Sequence, residues 1–117
     1  RDDIRLVGVS ADVPRDELLR NAKELARGAL ALVGVEASVP DRLVDADDGQ
    51  VGQGYGIPTP ESEAATGLFA RREGIVLDPT YTSKAAAGFV RALRDGRLAG
   101  ARRVVFLHTG GHPGLLA

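Results

Sequence analysis

The sequence has no cysteine, no methionine and no tryptophan, and its aromatic residues are two tyrosines and three phenylalanines in 117 positions. Without cysteine there is no disulfide, no thiolate metal site and no sulfur nucleophile. The same lack fits a reducing compartment, so the expected location is cytoplasmic. Neither sign of charge dominates: 15 basic residues face 16 acidic ones. The basic surplus of a nucleic-acid binder is missing, and no nucleic-acid partner is expected. No apolar run approaches the roughly 18 residues of a membrane-spanning helix, and neither a membrane partner nor a signal peptide is expected. Lysine is scarce, occurring only at Lys23 and Lys84. Position 1 is Arg rather than Met, which reads either as an excised piece or as simple initiator removal.

What is present is ordinary for one globular segment: 44% hydrophobic and 26% charged residues, with many glycines for turns. Ile4–Val9 is short, apolar and β-branched, and reads as a buried strand. Ser10 and Asp12 offer helix caps, and Pro14 suits a first helical turn. Leu18, Leu19, Ala22, Leu25, Ala26 and Ala29 then recur at helical spacing, predicting an amphipathic helix that ends near Gly34. Leu43–Val44 reads as a short strand, and Asp45, Asp47 and Asp48 as a solvated turn. Thr59 and Pro60 form a helix start, which Gly74 ends. Ile75–Leu77 and Arg103–His108 read as two further strands, with a third helix from Lys84 to Arg94 between them. The predicted class is α/β, an open parallel sheet with crossover helices, over residues 1–117 as a single segment.

In such sheets ligands gather at the carboxyl ends of the strands. The predicted loops there are 10–12, 50–58, 78–83 and 109–114. Gly54-Tyr55-Gly56 lacks the spacing of a dinucleotide loop, but its flanking glycines let a ligand approach Tyr55 closely. Asp78-Pro-Thr-Tyr81-Thr82-Ser83-Lys84 brings a tyrosine and hydroxyls to a helix start, where free amides favour an anionic group. Thr82 or Ser83 is expected to cap that helix, and Lys84 to be solvated or salt-bridged. His108 is expected to be hydrogen-bonded structure rather than a base. Thr109 can offer its hydroxyl, and Gly110 lets backbone come close. Two histidines without clustered partners make a poor metal site, so none is expected. The motifs alone describe a ligand-binding α/β segment, and a non-catalytic module for small anions satisfies them as well as an enzyme does.

Three segments taken together go further. Gly54–Glu61 (GYGIPTPE), Glu73–Ala85 (EGIVLDPTYTSKA) and Phe106–Ala117 (FLHTGGHPGLLA) resemble, in order and spacing, the closing third of the D-cysteine desulfhydrase and 1-aminocyclopropane-1-carboxylate deaminase family. The resemblance implies the C-terminal part of a fold-type-II enzyme that uses pyridoxal 5'-phosphate, a homodimer acting on a small amino acid. It implies that Tyr55 and Tyr81 are catalytic tyrosines on the substrate side of the cofactor. It places Thr109 beside the pyridine nitrogen, with Gly110 next to it. It counts Thr82 with Thr109 and Gly110 among the cofactor-binding residues; Thr82 stands where desulfhydrases carry Thr and deaminases carry Glu, which favours the desulfhydrase branch. The implied reaction is β-elimination to sulfide, ammonia and pyruvate; the alternative is ring opening to 2-oxobutyrate and ammonia. Ser83 departs from the Gly of many members, and His112 from their Ala or Thr. The family's cofactor-binding lysine and phosphate cradle belong to an earlier part of the chain, so the segment is expected to be inactive alone and to expose apolar surface.

Overall fold

The computed structural model describes residues 4–111; the expectation for His112 and the rest of the third segment lies outside them. Strand β1 covers Leu6–Val9, helix α1 Arg15–Leu32, strand β2 Val44–Asp47, helix α2 Pro60–Glu73 and helix α3 Thr82–Arg94, with a 3-10 turn at Asp41–Leu43 before β2. β1 and β2 pair in parallel, with Leu6 opposite Val44 and Val9 opposite Asp47. The helix between two parallel strands makes this a β-α-β unit. The class is therefore α/β with an open parallel sheet.

Each junction has a local cause. Thr59 Oγ1 accepts the Ser62 amide at 3.1 Å, and Ser62 Oγ accepts the Thr59 amide at 2.9 Å, a reciprocal cap in front of α2. Gly74 ends α2 at φ 67°, a conformation that a side chain disfavours. α1 starts differently from the expectation. Ser10 donates to the Val13 carbonyl, and the first amide of α1, Arg15 N, is capped by Asp48 from the end of β2, at 2.9 Å. α1 covers the sheet thinly. Leu18 lies near Gly8 of β1, no α1 residue is fully buried, and Leu32 is 90% exposed. α3 packs closely on β1, since a Cβ at Gly88 would come within 2.8 Å of Val9.

The core lies between α2 and α3. Ala65, Phe69, Leu77, Ala86 and Ala87 are buried there, and Phe89 and Phe106 pack against them. All three phenylalanines of the sequence meet, with ring centroids 5.4 to 6.5 Å apart.

Two expected strands do not form. Residues 75–77 and 103–108 carry no ladder. Their apolar alternation is real: Leu77 and Phe106 enter the core, while Val76, Val105 and Leu107 face outward. Each segment places one side chain in the core, and among the described residues no strand pairs with it to form a ladder. The acidic run is also corrected. Asp45 and Asp47 belong to β2, and Asp47 is buried, where it receives Arg91 and Arg97 (2.9 Å). Burial pushes its carboxyl up, but hydrogen bonds from Arg91, the Gly49 amide and Arg97 outweigh burial and hold it below the ordinary range.

Candidate functional site

The loops that leave β1 and β2 converge on the start of α3. Ser10 N bonds the Asp47 carbonyl at 2.8 Å, which fixes the loop after β1 against the loop after β2. Beyond β2, Gln50 is buried and accepts the Thr59 hydroxyl at 3.0 Å. Two successive turns follow, with Gly54 N bonded to Val51 O and Ile57 N to Gly54 O. They carry Tyr55 outward, where it is 55% exposed.

The turn before α3 is organised by Asp78. Its carboxylate accepts the amides of Thr80, Tyr81 and Thr82 at 2.8 to 2.9 Å and the Thr82 hydroxyl at 2.6 Å. The Thr82 amide is the first of α3, and those of Thr80 and Tyr81 lead into it, so Asp78 rather than Thr82 or Ser83 organises the start of this helix. Burial raises its carboxyl, and these four donors overcome that and hold it low. Thr82 is enclosed: its hydroxyl donates to Asp78 and also accepts the Asp78 amide at 2.8 Å. Thr82 therefore lies inside the turn, with its hydroxyl bonded to Asp78 as both donor and acceptor. Ser83 is likewise buried, donating to the Pro79 carbonyl at 2.9 Å.

Tyr81 emerges from this turn 49% exposed. Its ring meets that of Tyr55 edge-on, with centroids 5.8 Å apart, and the two hydroxyls are hydrogen-bonded. That bond is the chief cause raising the Tyr81 phenol above its ordinary value, so Tyr81 stays protonated near neutrality. The two residues are 26 positions apart and are the only tyrosines in the chain.

The 108–111 segment lies against the same turn. His108 Nε2 bonds the Val76 carbonyl at 3.1 Å, and His108 Nδ1 accepts the Gly110 amide at 3.2 Å. A neutral imidazole protonated on Nε2 satisfies both, as expected of a structural histidine. A Cβ at Gly111 would collide with the Asp78 carboxylate. Asp78 therefore touches the segment bearing Thr109 and Gly110 as well as the turn bearing Tyr81. Thr109 is exposed, and Gly110 takes φ 109° with open space where a Cβ would stand. Among the described residues, no group of His, Cys, Asp or Glu is arranged to hold a metal ion.

Lys84 departs most from expectation. It is fully buried, and its three ammonium protons meet three backbone carbonyls: Ala11 at 3.2 Å, Val51 at 2.9 Å and Gly54 at 3.0 Å. No carboxylate pairs with it in these contacts. Sequence patterning carries no signal for such a site, because its acceptors are main-chain atoms brought together by the fold. The role of Asp78 had a signal: an aspartate four positions before a threonine at a helix start.

The profile of the family described as "Pyridoxal-phosphate dependent enzyme" matches residues 1–110. D-cysteine desulfhydrase of Yersinia enterocolitica (serotype O:8 / biotype 1B) is 37% identical over 116 residues, covering 96% of this chain and 33% of the relative. D-cysteine desulfhydrase of Yersinia pestis (strain Pestoides F) is 33% identical over 115 residues, covering 98% of this chain and 34% of that one. A crystal structure of an ACC deaminase homologue superimposes with a TM-score of 0.78 at 33% identity, over 96% of this chain and 33% of the other. The chain thus spans about a third of the length of the relatives it matches.

Proposed function

This chain belongs to the pyridoxal-phosphate dependent enzyme family, and we propose that it forms the substrate-side wall of a lyase of the D-cysteine desulfhydrase kind. The observation that carries this reading is the hydrogen-bonded pair Tyr55 and Tyr81, half-exposed on a rim built from loops at the strand ends. Identity to two desulfhydrases over nearly all of this chain supports the same reading, as does a Thr rather than a Glu at position 82.

The donor set fits one side of the cofactor. Tyr55, Tyr81, the Thr109 hydroxyl and the open backbone at Gly110 are the groups that would line it. Among the described residues, neither lysine is placed to anchor it: Lys23 is paired with Asp41 at 2.6 Å, and all three protons of Lys84 are committed. The proposal therefore assigns the anchoring lysine to the two thirds of such an enzyme that this chain does not match. When bound, pyridoxal phosphate supplies the electron sink that lets the substrate lose its α-proton and its β-substituent.

The chain's own residues then have separate tasks. Tyr81, kept protonated by Tyr55, presents an O–H to the departing sulfur and hands over the proton that sulfide needs. Tyr55 orients that hydroxyl. Thr109 would face the pyridine nitrogen with a neutral hydroxyl, which, unlike a carboxylate, would not enforce protonation there. In sum, D-cysteine and water give pyruvate, ammonia and sulfide. The reading includes a small amino acid as substrate, a homodimer as the assembly and the cytoplasm as the location. Among the described residues, no helix is long and apolar enough to cross a membrane.

The likeness to an ACC deaminase homologue favours a second reading, release of 2-oxobutyrate and ammonia from the cyclopropane amino acid. One assay separates the two. The protein, with every segment its gene encodes and loaded with cofactor, is given each substrate in turn. Sulfide from D-cysteine should exceed 2-oxobutyrate from the cyclopropane substrate; the opposite order installs the second reading, and neither product removes both.

A further inference from the structure

Lys84 is a buried cation that, among the described residues, is held by carbonyls and by no carboxylate. Taking an ammonium out of water is costly, and a residue needed only for packing would be apolar. What repays the cost here is complete hydrogen bonding, one carbonyl for each proton. The three carbonyls have a common feature. Ala11 lies in the loop after β1, and Val51 and Gly54 lie in the loop after β2. Lys84 itself stands in the first turn of α3, three positions after Tyr81, and Gly54 directly precedes Tyr55. The Gly54 carbonyl receives both the Lys84 ammonium and the Ile57 amide, so the turn that carries Tyr55 is anchored at its base.

We propose that Lys84 is a positioning residue: its ammonium ties the loops after β1 and β2 to the head of α3 and thereby sets the approach of Tyr55 to Tyr81. This rests on the reading of the two tyrosines as one functional pair, but not on the identity of the substrate. It also separates the lysine from cofactor chemistry, since an amine that uses all its protons to hold three carbonyls serves as a tie.

The sequence supplies the probe. Tyrosine labelled at the phenol carbon gives one NMR signal per tyrosine, two of them in these 117 residues, and the signals of the pair are identified by their loss in Tyr55→Phe and Tyr81→Phe. In the unaltered protein one phenol should titrate above the ordinary tyrosine range. Lys84→Met keeps the bulk of the side chain and removes the donors. It should leave far-ultraviolet circular dichroism unchanged, abolish the raised titration and, in the active enzyme, lower kcat by about tenfold or more. Lys84→Ala leaves room for a small cation. Ammonium chloride should restore the raised phenol there, whereas tetramethylammonium, which has no N–H to donate, should not. A folded Lys84→Met protein that keeps the raised phenol would overturn the assignment, as would equal effects of the two salts on Lys84→Ala. Failure of both variants to fold even with ammonium present would make Lys84 a core residue and overturn it too. The titration needs no turnover, so an incorrect substrate would leave this result standing and fail only the product assay.

Discussion

Tyr81 is held from two directions. Asp78 fixes its backbone amide at 2.8 Å, and Tyr55 fixes its hydroxyl. Only the second contact depends on the phenol oxygen, so Tyr81→Phe isolates it. Both rings are half-exposed, so the substitution should change stability by no more than about 0.5 kcal/mol. It should lower kcat of the active enzyme by about 100-fold, the usual scale for losing a positioned proton donor. An unchanged kcat, with sulfide as product, would remove Tyr81 from the proton transfer. Lys84 supports a prediction of the opposite kind. Incubating this 117-residue chain with pyridoxal phosphate and then borohydride should leave no stoichiometric pyridoxyl group on Lys84, because its amine is buried and fully bonded. Mass spectrometry of the peptide containing Lys84 reads this directly, and a one-to-one adduct would contradict it.

At the scale of elements, β1, α1 and β2 are joined by ion pairs at the Asp45 carboxylate, which receives Arg15 at 2.6 Å and Arg5. The Arg15 hydrogen bond, then that of the Ala46 amide, holds the Asp45 carboxyl down to about 2. A carboxyl depressed on folding stabilises the fold above its unfolded value, and that stability is lost as pH falls through the folded one. The window is thus from about pH 4 down to about pH 2. The two arginines are half-exposed, so solvent screening reduces the contribution to about 1 kcal/mol. Asp45→Asn should lower the thermal midpoint at neutral pH and merge with the unaltered protein near pH 2; a constant gap across that window would refute the linkage. The sequence showed this element order well wherever local chemistry decides it. Thr59-Pro60, Gly74 and the helical spacing from Leu18 onward each mark a boundary or a face within a few residues. It could not show that residues 103–108, with strand composition, would lack a neighbour to pair with. Nor could it show that Asp47 would meet Arg91 across 44 positions. The two tyrosines were legible from their glycine and hydroxyl neighbours, but their mutual bond, the cap at Asp78 and the three carbonyls around Lys84 arise only from tertiary approach.

The whole molecule divides its few aromatic residues cleanly: phenylalanines inside, tyrosines on the rim. Its apolar aliphatic residues are divided less cleanly. Ile4, Leu6, Val105 and Leu107 are each at least 60% exposed, and among the described residues the sheet has two strands with unpaired outer edges. The Cα radius of gyration is 15.2 Å, above the roughly 13 Å of a compact chain of this length. Exposed apolar side chains beside unpaired strand edges favour association. This 117-residue chain should therefore bind a hydrophobic dye and sediment faster as its concentration rises. Charged residues at Val105 and Leu107 would interrupt the apolar surface without touching Phe106, which holds that segment to the core. The double variant Val105→Lys, Leu107→Lys should bind less dye and stay monomeric over a wider concentration range, with its circular dichroism preserved. Equal association by the variant and the unaltered chain would locate the adhesive surface elsewhere, with α1 and its exposed Leu25 and Leu32 the next to be altered.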